Sequence, residues 1–456
     1  MASVTVPQPI IAETAQNTLV MRSLTRRHKV LLFLFVTLFA TEFLIRGPGR
    51  FFQEGSAIND FISPFVQSKA WLEGTNPYSP AELVRLWPKG APHLDFLSRD
   101  AAAGTLAAKD GIPSPYPLTC FLILAPIAHA PWPAVHIALL ATNVLCALLF
   151  IGILVSFLGL GRHDPRTYLL WGLGLGLAPL HTAIAAGNLI VIVCACAAIA
   201  MWCARRNRNT AAGILLAVAT CLKPQVGLLF LAYYAIRQRW CTVLVGATVT
   251  MLAGTVAILR LVVSGTPGVQ TYLADLNNLF AVGAINDFSR ANPLRFHLLN
   301  LQMPLGSIVD SRFATNVFTW AVVGVLVLGW VAFVAQHNDR TELLDLSAIA
   351  TIALLPVYHR FVDGLVLMLP LCWCLTVRGR EFRRIAWLTV VFVLLFLIPG
   401  ASLLATLVDR GYVSSQVAST WWWNTVVIPY QSWTVLALAI TLVYAMNLRR
   451  FVTEPE

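Results

Sequence analysis

Four stretches of this chain set ionisable or strongly polar side chains against apolar runs, and each suggests a chemistry. Asp60, between Asn59 and Phe61, is a lone carboxylate shortly after the first apolar run. A carboxylate so placed can take the proton of a sugar hydroxyl as a general base; the plainer reading is a solvated loop acid. Lys223-Pro224 stands between two apolar segments. A lysine buried there needs an anionic partner, and an ammonium is a good point charge for phosphate. The alternative is a lysine whose stem runs along the apolar surface to the headgroups. Tyr358, His359, Arg360 and Asp363 form the third cluster. Arginine offers a bidentate fork and histidine a tunable donor, a pair suited to a phosphate leaving group; otherwise the cluster is a polar hairpin turn. Gly187-Asn188 opens an apolar run. A helix N-terminus there presents free N–H groups to an anion, or Asn188 is simply its cap.

No Walker loop, G-x-S-x-G or H-E-x-x-H motif occurs. Without a glycine loop to cradle phosphates, a soluble nucleotide donor has no evident home. A lipid-linked substrate fits better, its tail between helices and its phosphate against the basic turns. No Cys/His spacing suggests zinc, and cationic side chains can neutralise a phosphate. We therefore expect neither metal nor cofactor.

The elements that position these residues follow from composition. The 456 residues are 58% hydrophobic and only 12% charged, against roughly 25% charged in soluble domains. The mean hydropathy is +0.73. Lipid must cover much of such a surface. The net charge of +11 is no nucleic-acid footprint, because the basic residues cluster in short loops between apolar runs, the pattern of cytoplasmic retention. Nine cysteines lie in or beside apolar stretches and are expected to be small buried hydrophobes.

A span needs about 20 apolar residues. Twelve segments are candidates: 29–46, 132–160, 166–182, 187–204, 209–222, 225–236, 240–263, 313–336, 343–357, 360–378, 385–405 and 431–449. Arg22, Arg26, Arg27 and Lys29 should hold the tail 1–28 in the cytoplasm, and no cleaved signal peptide is expected. Alternating from there, the short Arg-rich loops and the tail 451–456 fall on the cytoplasmic side of one transmembrane domain, 29–450. The long loops 47–116 and 264–312 and the shorter 406–430 fall outside, with Asp60, Asn188, Lys223 and His359. Run 117–131 reads as re-entrant or interfacial, and segment 61–73 as a helix lying flat at the interface. Trp421 to Trp423 suit the headgroup belt or sugar stacking. The pentapeptide AINDF occurs at 57–61 and at 284–288; we read the repeat as coincidence.

These residues, in this order, resemble the bacterial polyprenol-phosphate-dependent glycosyltransferases of family 87. This DUF2029-type group includes mycobacterial mannosyltransferases and has the membrane-embedded GT-C architecture. The resemblance runs through Asn59-Asp60-Phe61, Gly74 to Tyr78, Tyr116-Pro117 with Ala125-Pro126, and Pro179 to Asn188. It continues through Gly213 to Pro224, Arg237 to Trp240, and Pro356 to His359. Leu118 replaces a second proline, Asn188 stands where glutamine is usual, and 406–430 has no counterpart. The resemblance implies an all-helical GT-C-like protein of about twelve spans with extracytoplasmic loop helices. Its activity would be transfer of a hexose, mannose-like, from a polyprenyl monophosphate to a lipid or glycan hydroxyl, with inversion. Asp60 matches the catalytic Asp, and His359 matches a His near the donor phosphate. Lys223 and Arg360 join them on physical grounds, with Asn188 and Tyr116 as further substrate-binding candidates. The expected setting is the extracytoplasmic face of a bacterial inner membrane, with bilayer, donor and acceptor as partners and no nucleic acid. Two other classes are compatible: a flippase of lipid-linked sugars, which predicts inverted repeats and charges at mid-depth, and a non-catalytic envelope-assembly subunit, which predicts that Asp60 and His359 do not share a cavity.

Overall fold

The computed structural model describes residues 25–53, 60–89, 91, 116–284, 286–292, 295–336, 342–356, 359–377 and 380–452. Arg22, Asn59, Tyr358, the loop 337–341, Arg378, most of the N-terminal tail and 453–456 lie outside them. Among the described residues the regular structure is helical, with one isolated antiparallel bridge, Leu298 to Arg360. The helices of eight or more residues, in order, are α1 (Arg26–Arg46), α2 (Ile62–Glu73), α3 (Trp132–Phe157), α4 (Pro165–Gly176), α5 (Ala178–Ala185), α6 (Ile190–Arg205), α7 (Asn209–Leu222), α8 (Pro224–Ile236), α9 (Trp240–Val263), α10 (Gly268–Leu279), α11 (Arg312–Gln336), α12 (Glu342–Ile352), α13 (Met368–Thr376), α14 (Arg380–Leu394), α15 (Ala401–Asp409) and α16 (Tyr430–Val452).

Each of the twelve apolar segments falls on helix, but their lengths divide them. Five helices are long and apolar enough to cross a membrane: Arg26–Phe51, Trp132–Phe157, Trp240–Val263, Arg312–Gln336 and Tyr430–Leu448. Two bent pairs, Pro165–Gly176 with Ala178–Ala185 (48°) and Phe382–Leu397 with Ala401–Asp409 (45°), bring the number up to 7. The others are short. α7 has 14 residues, about 21 Å at 1.5 Å per residue, against a hydrocarbon core of about 30 Å. A short apolar helix is stable where protein covers it, and eleven of the sixteen residues of α6 are buried. The long helices show the opposite: Phe33 is 65% exposed, Met251 72% and Phe313 79%, surfaces that only lipid would cover. Segment 61–73 forms α2, but nine of its twelve residues are buried. It packs inside the protein rather than flat on a surface, with Trp71 Nε1 donating to the Ala257 carbonyl at 3.0 Å. Run 117–131 holds only the short helix Leu118–Leu124 and a 3-10 turn, Ala125–Ile127. All nine cysteines are free, five of them buried.

Glycines let the central helices approach. A Cβ on Gly213 of α7 would stand 2.7 Å from the Thr242 carbonyl of α9, so the two backbones nearly touch, as small residues permit between membrane helices. At the α7–α8 hairpin, a Cβ on Gly227 would run into the Thr220 backbone. Pro224 starts α8 and needs no N–H partner there, while Lys223, extended at φ −142°, makes the turn. We predict that Gly227→Ala opens this hairpin and costs about 1–3 kcal/mol, the usual range for overpacking. A thermal midpoint equal to the parent's would show that the turn does not depend on that contact.

Candidate functional site

Asp60 is held from two directions by the α5–α6 connection. Its backbone N–H donates to the Ala186 carbonyl at 2.7 Å, and its Oδ2 accepts from Asn188 Nδ2 at 2.7 Å. Gly187, at φ +67°, makes the left-handed reversal between α5 and α6, a conformation glycine adopts without penalty. Asn188 Oδ1 accepts from the Ile190 N–H at 2.9 Å. Asn188 therefore satisfies the first N–H of α6, as the cap reading expects, and also orients the carboxylate of Asp60, which the sequence did not suggest.

Lys223, at the α7–α8 turn, is buried, and its Nζ lies 2.6 Å from Asp363 Oδ1. Asp363 sits in the 3-10 helix Phe361–Leu367 that leads into α13. Its other oxygen lies 3.0 Å from His359 Nδ1 and accepts from the Arg360 N–H at 3.3 Å. A carboxylate only accepts, so Nδ1 carries a hydrogen. The buried Nε2 of His359, a residue only 1% exposed, has no protein partner among the described residues. It can accept a hydrogen bond when the ring is neutral and donate one when it is protonated.

Arg360 extends the group. Leu298 bridges to it and the Leu299 N–H donates to the His359 carbonyl at 2.5 Å, so segment 298–299 clamps this turn. Arg360 Nη2 donates to Asn286 Oδ1 at 3.3 Å. Asp287, beside Asn286, accepts from the Gly283 and Ser289 N–H groups at 2.8 and 3.0 Å and is a loop organiser. Asn286 thus bonds Arg360 directly, while the Asp60 carboxylate feels only the Arg360 charge.

The electrostatics at Asp60 are a contest. Burial raises its pKa above the ordinary carboxylate value; the Asn188 hydrogen bond, Arg360 and Lys223 pull it down; Asp363 pushes it up. Burial wins, which leaves a carboxylate more basic than a solvated one.

Five predicted residues lie in this region: Asp60 bonds Asn188, Lys223, His359 and Arg360 meet at Asp363, and the two groups feel each other's charge. Tyr116 belongs to another group: its carbonyl accepts from Tyr78 Oη at 2.6 Å, and Tyr78 packs on Tyr272 with ring centroids 5.1 Å apart. Sequence reasoning gave Lys223 a lipid phosphate as partner; in the structure the partner is Asp363, 140 positions away. The signal was present, since a buried lysine needs an acid and Asp363 stands one helical turn past His359. Among the described residues no group of three His, Cys, Asp or Glu side chains forms a metal-binding cluster.

The sequence model of glycosyltransferase family 87 matches residues 115–357, more than half of the chain. The chain belongs to glycosyltransferase family 87. No curated protein and no solved structure matches it. The family 87 stretch carries Asn188 and Lys223 and ends two residues before His359, while Asp60 precedes it. The two outlying parts of the network are tied to the family 87 segment by the Asp60–Asn188 and Asp363–Lys223 contacts. Family 87 membership and the long apolar helices make this a multi-pass membrane glycosyltransferase.

Proposed function

We propose that this enzyme moves a mannose-like hexose from a polyprenyl monophosphate to a hydroxyl of a lipid or glycan acceptor, inverting the anomeric centre. The observation that carries the reading is the Asp60 carboxylate, fixed by Asn188 beside the Lys223–Asp363–His359–Arg360 group. Asp60 takes the acceptor hydroxyl proton as its oxygen attacks C1 from the face opposite the phosphate. The C1–O bond to phosphate breaks, and its electron pair leaves with polyprenyl phosphate. Arg360 and the unsatisfied His359 Nε2 meet the charge that develops there, where fixed cations lower the barrier most. Lys223, neutralised by Asp363, positions that carboxylate and through it the His359 ring.

The reaction then lies on the extracytoplasmic side of a bacterial inner membrane, with both termini cytoplasmic. The clustering of arginines in alternate short loops supports that orientation. Twelve crossings in a GT-C-like arrangement would require the short helices α6 to α8 to end inside protein, which is tolerated where other helices cover them. The test is incubation of membranes with a panel of labelled polyprenyl-phosphate hexoses. Transfer from at least one, absent from membranes lacking the protein, is the expected result. Transfer only from a nucleotide sugar, or from none of the panel, would overturn the donor assignment.

A further inference from the structure

Helices that begin at the Asp60 region carry a different set of charges at their other ends. α6 starts two residues after Asn188 and ends at Arg205; α8 starts at Pro224, beside Lys223, and ends at Ile236, just before Arg237. At 1.5 Å per residue, the 16 residues of α6 and the 13 of α8 set about 20–24 Å between the two ends. α13 runs from the Asp363 turn to Thr376, and α12 begins at Glu342 and leads back toward His359.

These far ends enclose a cavity of about 470 Å³, within the roughly 300–1,000 Å³ of small-molecule sites. Arg205, Arg237, Arg239, Glu342, Tyr234 and Phe157 are among the residues that line it. Arg205 Nη1 donates to the Phe157 carbonyl at 2.6 Å, and its guanidinium lies 4.8 Å from the centroid of that ring. Arg237 Nη1 donates to the Val334 carbonyl and Arg239 Nη1 to Asn207 Oδ1, each at 3.3 Å. These contacts fix where the guanidiniums stand; their acceptors are neutral and cancel no charge. Tyr234 Oη donates to Glu342 Oε1 at 3.0 Å. Three guanidiniums thus share one lining with a single carboxylate, an excess of positive charge. Arginines suit helix C-termini and mark cytoplasmic loops, so each of them alone is expected. Neither reason requires three to line one cavity with an aromatic wall. Guanidinium forks match phosphate oxygens in pairs, and the Phe157 ring offers apolar surface to the rest of such a ligand.

We propose that this cavity, at the end of the helices opposite Asp60, binds a phosphate monoester through Arg205, Arg237 and Arg239, with Glu342 opposing the anion. The ester is either a soluble phosphorylated molecule or the headgroup of a lipid. The inference rests on the proposed function only for its side: in that orientation the cavity faces the cytoplasm, away from the sugar donor.

The test is calorimetric titration of delipidated full-length protein in detergent. The probes are glycerol 3-phosphate, phosphatidic acid, and the neutral controls glycerol and diacylglycerol. At least one phosphate ester should bind. Arg205→Gln and Arg237→Gln should each weaken that binding at least tenfold. Glu342→Gln should tighten it at least threefold, because the amide oxygen keeps the Tyr234 hydrogen bond and only the charge is lost. The Arg205 dependence should persist in an Arg360→Gln background, which lacks a cation of the Asp60 region. Tighter binding of glycerol 3-phosphate identifies a soluble ligand, and tighter binding of phosphatidic acid a lipid. Binding of neither ester, a neutral control bound as tightly as its ester, or unchanged affinity in both arginine variants would overturn the site. Should an arginine variant fail to fold, Glu342→Gln decides: affinity unchanged or weakened there would also overturn it. The readout needs no turnover, so its failure leaves the Asp60 reaction standing, and failure of sugar transfer leaves this site standing.

Discussion

Asp60→Asn should lower hexose transfer by about 10²–10⁴-fold, the range that a positioned general base contributes, while the protein stays folded. The substitution keeps the geometry, because the carbonyl oxygen of the new amide can still accept the bond now given by Asn188 Nδ2. What it removes is the basic electron pair. The direction of the Asp60 pKa adds a second measurement. Burial holds it above the ordinary carboxylate value, so activity in the parent should be lost as pH falls through a point higher than the roughly 3.9 of a solvated Asp. Arg360 opposes that rise, so Arg360→Gln should move the acid limb of the pH profile to still higher pH. Stability follows the same shift with the opposite benefit. Native Asp60 binds its proton more tightly than the unfolded chain does, so stability declines as pH rises between the two values. Asp60→Asn removes that decline and should melt at least as high as the parent at neutral pH. Transfer at the parent's rate in Asp60→Asn, measured with the donor that labels best, would end the general-base assignment.

Periodicity and charge were enough to find the helices and to bring Asp60, Asn188, Lys223 and His359 to one region. Apolar runs long enough for a helix announce themselves. Crossing number was less legible. Whether fourteen apolar residues such as Asn209–Leu222 cross lipid or hide in protein depends on what covers them, and here eight are buried. The flat interfacial helix expected at 61–73 failed for the same reason: Ile62, Phe65, Val66 and Trp71 are buried against other helices. Pairing was the hardest to read. Lys223 finds Asp363, and Arg360 finds Asn286, through turns far apart in the chain, and no local pattern encodes a long-range partner.

Asp363→Ala should be the most destabilising single change in the network, by about 3–5 kcal/mol, the cost of stranding a buried charge. Asp363 satisfies three groups at once: Lys223 Nζ, His359 Nδ1 and the Arg360 N–H. Its removal strands an ammonium inside the protein and frees the imidazole to turn. The reverse change, Lys223→Met, should cost less, because Asp363 would keep its His359 and Arg360 contacts and can bind a proton. The double variant Lys223→Met, Asp363→Leu separates fold from function. Replacing both ends of a buried ion pair with apolar side chains is often neutral, so the double variant should regain most of the lost thermal stability. It should not regain transfer, because nothing would then fix His359 Nε2 toward the donor phosphate. An Asp363→Ala protein as stable as the parent would mean that the Lys223 charge is met by water, and the positioning role of the pair would fall. A double variant that transfers sugar at the parent's rate would leave the pair a purely structural tie between the α7–α8 turn and the start of α13.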